Sequence, residues 1–336
     1  MGKPMQIHRF VVPMLLGTLA GGVLARAPGP VDGVTPLALV AVPVALDPAD
    51  PARRDVGRLR YLGGLVLTSP NAAFGGVSAL RARDDGRFLG ITDTGNWVTF
   101  DVVEAGDRLT GVRGGVIAPL LAADGQPARA KADADAEGLE WAADGTATVS
   151  FEQDHRLQVY VGIDPRLPAT LARAPVAVRR SPLTGRWPIN GGGEAYAATG
   201  PGASAWFAEE GRSDDGDRDV LLSDGGVTTR RGYRSPGDLS PTDAILLSPG
   251  HLLVLARHYS PAGGVVVGLS EVALTPGDGP LEGREIARLA PPLTVDNLEG
   301  LALRRTAGRT FVYLVSDDNF NGLQRTLLLK FELVGR

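Results

Sequence analysis

Five times along this chain, a short apolar run opens on a polar residue and the next run closes on another. The pairs are Ser78 with Asp93, Glu137 with Glu152, Glu194 with Glu209, Asp243 with Arg257, and Glu299 with Asp317. Successive openers lie roughly 50–60 residues apart, the spacing at which a repeated group of strands builds a radial array of blades. Asp85-Gly86, Asp144-Gly145, Asp224-Gly225 and Pro249-Gly250 fall between apolar runs and signal tight antiparallel turns. In an antiparallel pair the first residue of one strand and the last residue of the next lie at the same end. If each hairpin supplies the inner strands of a blade, every opener and closer therefore converges on one mouth of a central channel. The expected fold is an all-β propeller closed by joining Leu59–Leu67 to Thr326–Leu333. Six blades are expected, because the residues before Ser78 hold more strand than closure needs; five is the alternative.

Repetition across nearly the whole of 336 residues argues for one large domain, and 45 Gly and 25 Pro with few aromatics fit a turn-rich β protein. A net charge of −4 gives nucleic acid or an anionic membrane no overall attraction. The absence of cysteine excludes disulfides, thiolate catalysis and a lipid-anchoring cysteine. Lys3, His8 and Arg9 precede an apolar run from Phe10 to Ala25, short for a membrane span and suited to a signal peptide at residues 1–25. The expected product is exported, periplasmic or extracellular, with no membrane span after signal removal. Residues 26–57 then form an extension in which Leu37–Leu46 is an outer strand or a tether, and residues 58–336 form the propeller.

A crowd of carboxylates at one mouth cannot stay ionised without compensation, because like charges and burial both raise carboxyl pKa values. Arg257, standing where the other closers are acidic, and His155, Arg156 and His258 beside closers are the internal cations available. A hard divalent cation is the external one, and carboxylates with amide oxygens suit Ca²⁺. The candidate metal ligands are Asp93, Glu137, Glu152, Glu194, Glu209, Asp243, Glu299, Asp317 and Asp318, with Asn297 and Asn319 nearby. Openers that recur with little variation read as framework holding strand ends. Closers sit in varied polar surroundings, and the chemistry is expected there.

Other site motifs fail on internal grounds. Asp93-Thr94-Gly95 has no second copy to complete an aspartic-protease dyad, and no Gly-x-Ser-x-Gly occurs. Gly191-Gly192-Gly193 lacks the lysine and helix of a phosphate loop.

The motifs Phe74-Gly75-Gly76-Val77-Ser78, Ala136-Glu137-Gly138-Leu139-Glu140-Trp141, Ser150-Phe151-Glu152 with His155-Arg156, and Gly193-Glu194-Ala195 occur in that order. Pro241-Thr242-Asp243, Asn297-Leu298-Glu299-Gly300-Leu301 and Ser316-Asp317-Asp318-Asn319-Phe320 follow. Together they resemble the phytase-like domain family, exported bacterial proteins described as having an esterase-like activity of phytase. The resemblance implies a β-propeller and, by analogy with propeller phytases, Ca²⁺-dependent hydrolysis of a small phosphorylated substrate. On this reading Glu152, Glu209, Asp317 and Asp318 hold metal, and Arg156 and Arg257 grip phosphate. His155 and His258 are the acid–base candidates. A propeller that binds a ligand or partner without catalysis, and a lactonase-like metal hydrolase, are the alternatives. Arg257 departs from the acidic pattern, which leaves open whether it binds the substrate anion or replaces a metal ligand.

Overall fold

The computed structural model describes residues 28–183 and 185–335; the expected signal segment lies outside them. All four dipeptides read as turns connect paired strands, and the glycine of each takes a positive φ that a residue bearing a Cβ adopts only with strain. The hairpins they close assemble into antiparallel sheets, whose inner strands are Val77–Ala82, Ala136–Trp141, Gly193–Gly200, Ser240–Ser248 and Leu298–Thr306. The first sheet runs Val77–Ala82, Arg87–Thr92, Asn96–Ala105, Arg108–Pro119, with Thr35–Pro36 on its outer edge. The second comprises Ala136–Trp141, Ala147–Phe151, Arg156–Tyr160 and Ala177–Arg180. Gly193–Gly200, Ala203–Arg212, Arg218–Asp224 and Val227–Arg234 make the third, and Ser240–Ser248, His251–Ser260, Gly264–Ala273 and Leu281–Leu289 the fourth. A short parallel pairing of Tyr233 and Arg234 with Leu281 and Glu282 links these two at their outer strands.

The fifth sheet is built from both ends of the chain. Leu298–Thr306, Arg309–Ser316 and Thr326–Leu333 are continued by Leu59–Thr68, which pairs antiparallel with Thr326–Leu333, and Val40–Val44 adds an outer edge. The surplus strand before Ser78, which pointed to a sixth unit, is thus taken up at the edges of the first and fifth sheets. Among the described residues no further sheet is formed.

Apolar clusters seal each pair of successive sheets. Leu89, Ile91 and Trp97 pack with Leu139, Val149 and Tyr160 between the first and second. Phe207 and Tyr233 meet Leu252 and Val254 between the third and fourth. Leu255 and Leu269 meet Leu314 and Leu329 between the fourth and fifth. Phe88 and Phe100 meet Tyr313 and Leu328 between the fifth and first, closing the ring. The junction of the second and third sheets holds the smallest cluster, around Trp187 and Trp206. Sheets radiating about one axis, each burying a face against its neighbour and joined by strands from both termini, form a β-propeller.

Near the axis the inner strands crowd, and the residues there are small. Ala79, Gly138, Ala195 and Gly300 occupy equivalent register positions. A Cβ at Gly138 would overlap the Glu194 carbonyl, and one at Gly300 would stand 3.0 Å from the Leu80 nitrogen. The fourth sheet alone places a charged residue, Asp243, at this position.

Candidate metal centre

The same slip occurs at the start of every sheet. The first two strands lose register by one residue between Val77 and Ala79, Ala136 and Gly138, Gly193 and Ala195, Pro241 and Asp243, and Leu298 and Gly300. The extra residues are Ser78, Glu137, Glu194, Thr242 and Glu299. A bulge re-aims its residue away from the sheet's ordinary alternation. Each closer is fixed to the same frame: the backbone N–H groups of Asp93, Glu152, Glu209 and Asp317 donate to the carbonyls of Gly76, Asp135, Gly192 and Asn297 at 2.8–3.0 Å. Arg257 pairs with Ser240 at the equivalent place.

This frame corrects one expected member of the ring. The bulged residue of the fourth sheet is Thr242, and Asp243 is the next residue along, fully buried and held by Arg81. The fourth sheet therefore brings a hydroxyl and a guanidinium to the mouth where the second and third bring two carboxylates each.

The remaining acids form a coupled cluster. Carboxylate oxygens of Asp135, Glu137 and Glu152 lie within 4.8 Å of one another. Asp135 is bonded to Lys131 Nζ at 2.8 Å and Gln153 Nε2 at 2.9 Å. Glu152 Oε1 accepts the N–H groups of Gly191 and Gly192 at 2.5 and 2.8 Å. Asp317 Oδ1 accepts from the Asn319 N–H at 2.6 Å. Glu299 accepts from Asn297 Nδ2 at 2.8 Å and faces Arg257 Nη2 at 2.8 Å, while Glu209 faces the same guanidinium at 3.3 Å. Among the described residues the side chains of Glu137 and Glu194 accept no hydrogen bond and form no ion pair. Closers Glu152 and Asp317 are thus tied to backbone N–H groups, while openers Glu137 and Glu194 have no protein donor among the described residues.

Burial is the largest cause of the resulting pKa shifts, with mutual repulsion adding to it. Asp93 and Glu152 are each pushed up to about 7, although Lys131 opposes the shift at Asp93 and the Gly191 and Gly192 N–H groups oppose it at Glu152. Glu137, Glu194 and Asp317 rise well above the ordinary carboxyl range. Glu299 is raised as well, against the pull of Arg257. Asp93 Oδ1 is buried without a hydrogen-bond partner, and a side chain at Gly76 would overlap it.

These donors fit a hard divalent cation. They are all oxygens, when ionised they carry more negative charge than Lys131 and Arg257 balance, and Asp93 Oδ1 has no partner. Two oxygens bound to one Ca²⁺ at about 2.4 Å stand at most about 4.8 Å apart, the limit that the Asp135, Glu137 and Glu152 atoms meet.

A family model described as phytase-like, esterase-like activity of phytase, matches residues 72–320. The chain belongs to the phytase-like family. A search of curated proteins found no match. Among solved structures, this phytase-like chain is similar to a catalytically inactive virginiamycin B lyase from Staphylococcus aureus with quinupristin, at 10% identity over 89% of this chain and 100% of that one, TM-score 0.39. It is also similar to the RRP9 WD40 repeats, at 11% identity over 88% and 87% of the two chains, TM-score 0.40. Luciferin-regenerating enzyme matches at 10% identity over 79% of this chain and 94% of that one, TM-score 0.39.

Several residues singled out in the phytase-like motifs have other partners. Asp318 accepts from the Gly76 and Phe320 N–H groups and the Thr326 hydroxyl at 3.0–3.1 Å, stitching the last sheet to the first. Arg156 stacks on Phe151 and donates to the carbonyls of Ala132 and Asp133, so it anchors the helical turn Lys131–Ala134 and Asp135 at its end. His155 is buried edge-on to Trp187, with Nε2 2.8 Å from the Pro188 carbonyl oxygen; burial lowers its pKa. His258 is exposed on the strand beyond Arg257. Sequence reasoning missed Asp135, Lys131 and Thr242. For Asp135 the available signal was its place two residues before an opener, where Asn297 also stands.

Proposed function

We propose that this phytase-like chain is an exported five-bladed propeller that hydrolyses phosphate esters with a Ca²⁺-type cation held at the acidic mouth. The observation that carries the reading is the convergence of Asp135, Glu137 and Glu152 oxygens within 4.8 Å, with few internal cations beside them. Asp93, Glu299 and Asp317 extend the oxygen set. When bound, a divalent cation would supply neutralising charge, polarise a phosphoryl oxygen and acidify water. Arg257 would orient the substrate anion through its guanidinium, with Lys131 as a second cation beside Asp93 and Asp135. The Gly191 and Gly192 N–H groups hold Glu152 in place. Turnover of phytate and p-nitrophenyl phosphate by the purified protein, with Ca²⁺ and with EDTA, tests the reading. Absence of metal-dependent turnover on any phosphoester overturns it.

A second reading, an envelope propeller that binds an anionic ligand or partner without turnover, is favoured by one observation. Two of the four expected anion and proton-transfer groups, His155 and Arg156, are occupied with backbone carbonyls. Cation binding with no turnover would select it.

A further inference from the structure

A groove of about 530 Å³ opens between the outer part of the fifth sheet and the outer hairpin of the first. Its origin is a register slip at Leu62, where Tyr61 pairs with Phe331 and Gly63 with Lys330. The next two residues carry no side chain: a Cβ on Gly63 would stand 2.7 Å from the Leu109 carbonyl oxygen, and one on Gly64 would stand 2.6 Å from the Tyr61 hydroxyl. The walls are otherwise apolar, with Val44, Pro51, Leu62 and Leu109 among them.

Two arginines, Arg54 and Arg108, line the groove, and no acidic side chain does. The neighbouring acids are engaged by other arginines: Asp47 by Arg53, Asp55 by Arg60 and Asp107 by Arg309. Arg54 donates only to the carbonyls of Pro51 and Arg53, and neither arginine forms an ion pair among the described residues. Tyr61 lines the same groove. Burial pushes the Tyr61 phenol up to about 12, and Arg54 and Arg108 both pull against that rise. The hydroxyl itself donates to the Val44 carbonyl at 2.6 Å, which holds the edge strand as one wall. Two arginines lining one groove without carboxylates, beside apolar walls, make a receptor for an anionic head on an apolar body.

We propose that this groove binds an amphipathic anion, its carboxylate or phosphate head held by Arg54 and Arg108 and its tail lying along Val44, Leu62 and Leu109. Calorimetric titration of the full chain with octyl phosphate, decanoate and neutral octanol tests this. Both anions, or one of them, should bind, and the preferred one assigns the head group; octanol should bind at least tenfold more weakly. The double variant Arg54→Gln, Arg108→Gln should lose roughly tenfold or more in anion affinity, as expected for removal of charge-assisted contacts. Because both side chains are exposed, its thermal unfolding should match the parent. Arg257→Gln, at the channel mouth, should leave this binding unchanged. No binding of either anion, equal binding of octanol, indifference to the double variant, or loss of binding in Arg257→Gln would each overturn the proposal.

Discussion

Arg81, on the inner strand of the first sheet, reaches across the propeller axis and grips Asp243, on the inner strand of the fourth, in a bidentate pair at 2.8 and 2.9 Å. The same guanidinium donates to the carbonyls of Leu80, Tyr196, Ala244 and Leu301, and Asp243 accepts the N–H groups of Ala244 and Leu301. Four of the five inner strands are thereby tied to one ion pair. The small residues Gly138 and Gly300 let neighbouring inner strands approach closely.

Removing one partner of this pair should be far worse than removing both. A lone buried charge costs about 3–5 kcal/mol, whereas an apolar replacement of the whole pair is often neutral. Arg81→Met or Asp243→Leu should each lower the unfolding free energy by about that amount in urea titrations, and the double variant should recover most of it. Equal losses in single and double variants would show that the backbone hydrogen bonds, not the pairing, dominate.

The mouth trades stability for charge density. Glu194 is buried and Glu137 part-buried, both are repelled by their neighbours, and neither accepts a hydrogen bond among the described residues, so neutralising either removes a penalty. Glu137→Gln should raise the melting temperature of the metal-free protein by a few degrees, as roughly 1 kcal/mol does in a chain of this size. It should also weaken Ca²⁺ binding by tenfold or more, read by calorimetry. A variant that is less stable and binds Ca²⁺ normally would mean that Glu137 is structural.

The pH dependence follows from the raised carboxyls. In the unfolded chain such groups titrate near pH 4, whereas Asp93 and Glu152 in the folded protein titrate at about 7. Between these values the folded state holds more protons, so this contribution to stability is fully present below about pH 4 and is lost as pH rises through 7. Metal-free protein should therefore melt lower at pH 8 than at pH 5.5. Added Ca²⁺, which competes with those protons, should raise the melting temperature more at pH 8. A calcium effect independent of pH would place the ion away from these carboxylates.

The period, the antiparallel hairpins and the shared mouth were legible because strand ends and Asp-Gly turns are local signals. The bulge was not, and the error at Asp243 follows from that. Pro241-Thr242-Asp243 looks like the other openers with the acid one place later, and only the backbone slip shows that one place turns a side chain from the mouth to the axis. Arg81 carried no warning either, since its partner lies 162 residues away. An apolar run before Ser78 reads the same whether it starts a new sheet or edges an existing one. Lys131 and Asp135 lie in an alanine-rich polar segment whose position over the mouth depends on Arg156 holding two of its carbonyls.

Arg257 is where the departure from an all-acid ring has its clearest consequence. Its guanidinium bridges Glu209 and Glu299, acids of the two sheets that flank its own, and Glu194 also contributes to holding it charged. Arg257→Gln should leave these carboxylates facing one another, lowering the metal-free melting temperature at pH 8, with Ca²⁺ restoring much of the loss. Phosphoester turnover should nevertheless fall tenfold or more at saturating Ca²⁺, because the substrate anion loses its donor. Arg257→Lys should rescue stability better than turnover, since an ammonium supplies the charge but not the planar fork of donors. Steady-state kinetics and melting curves on the same preparations separate the two effects. Full turnover in the calcium-restored Gln variant would remove Arg257 from the substrate and leave it a counter-ion alone.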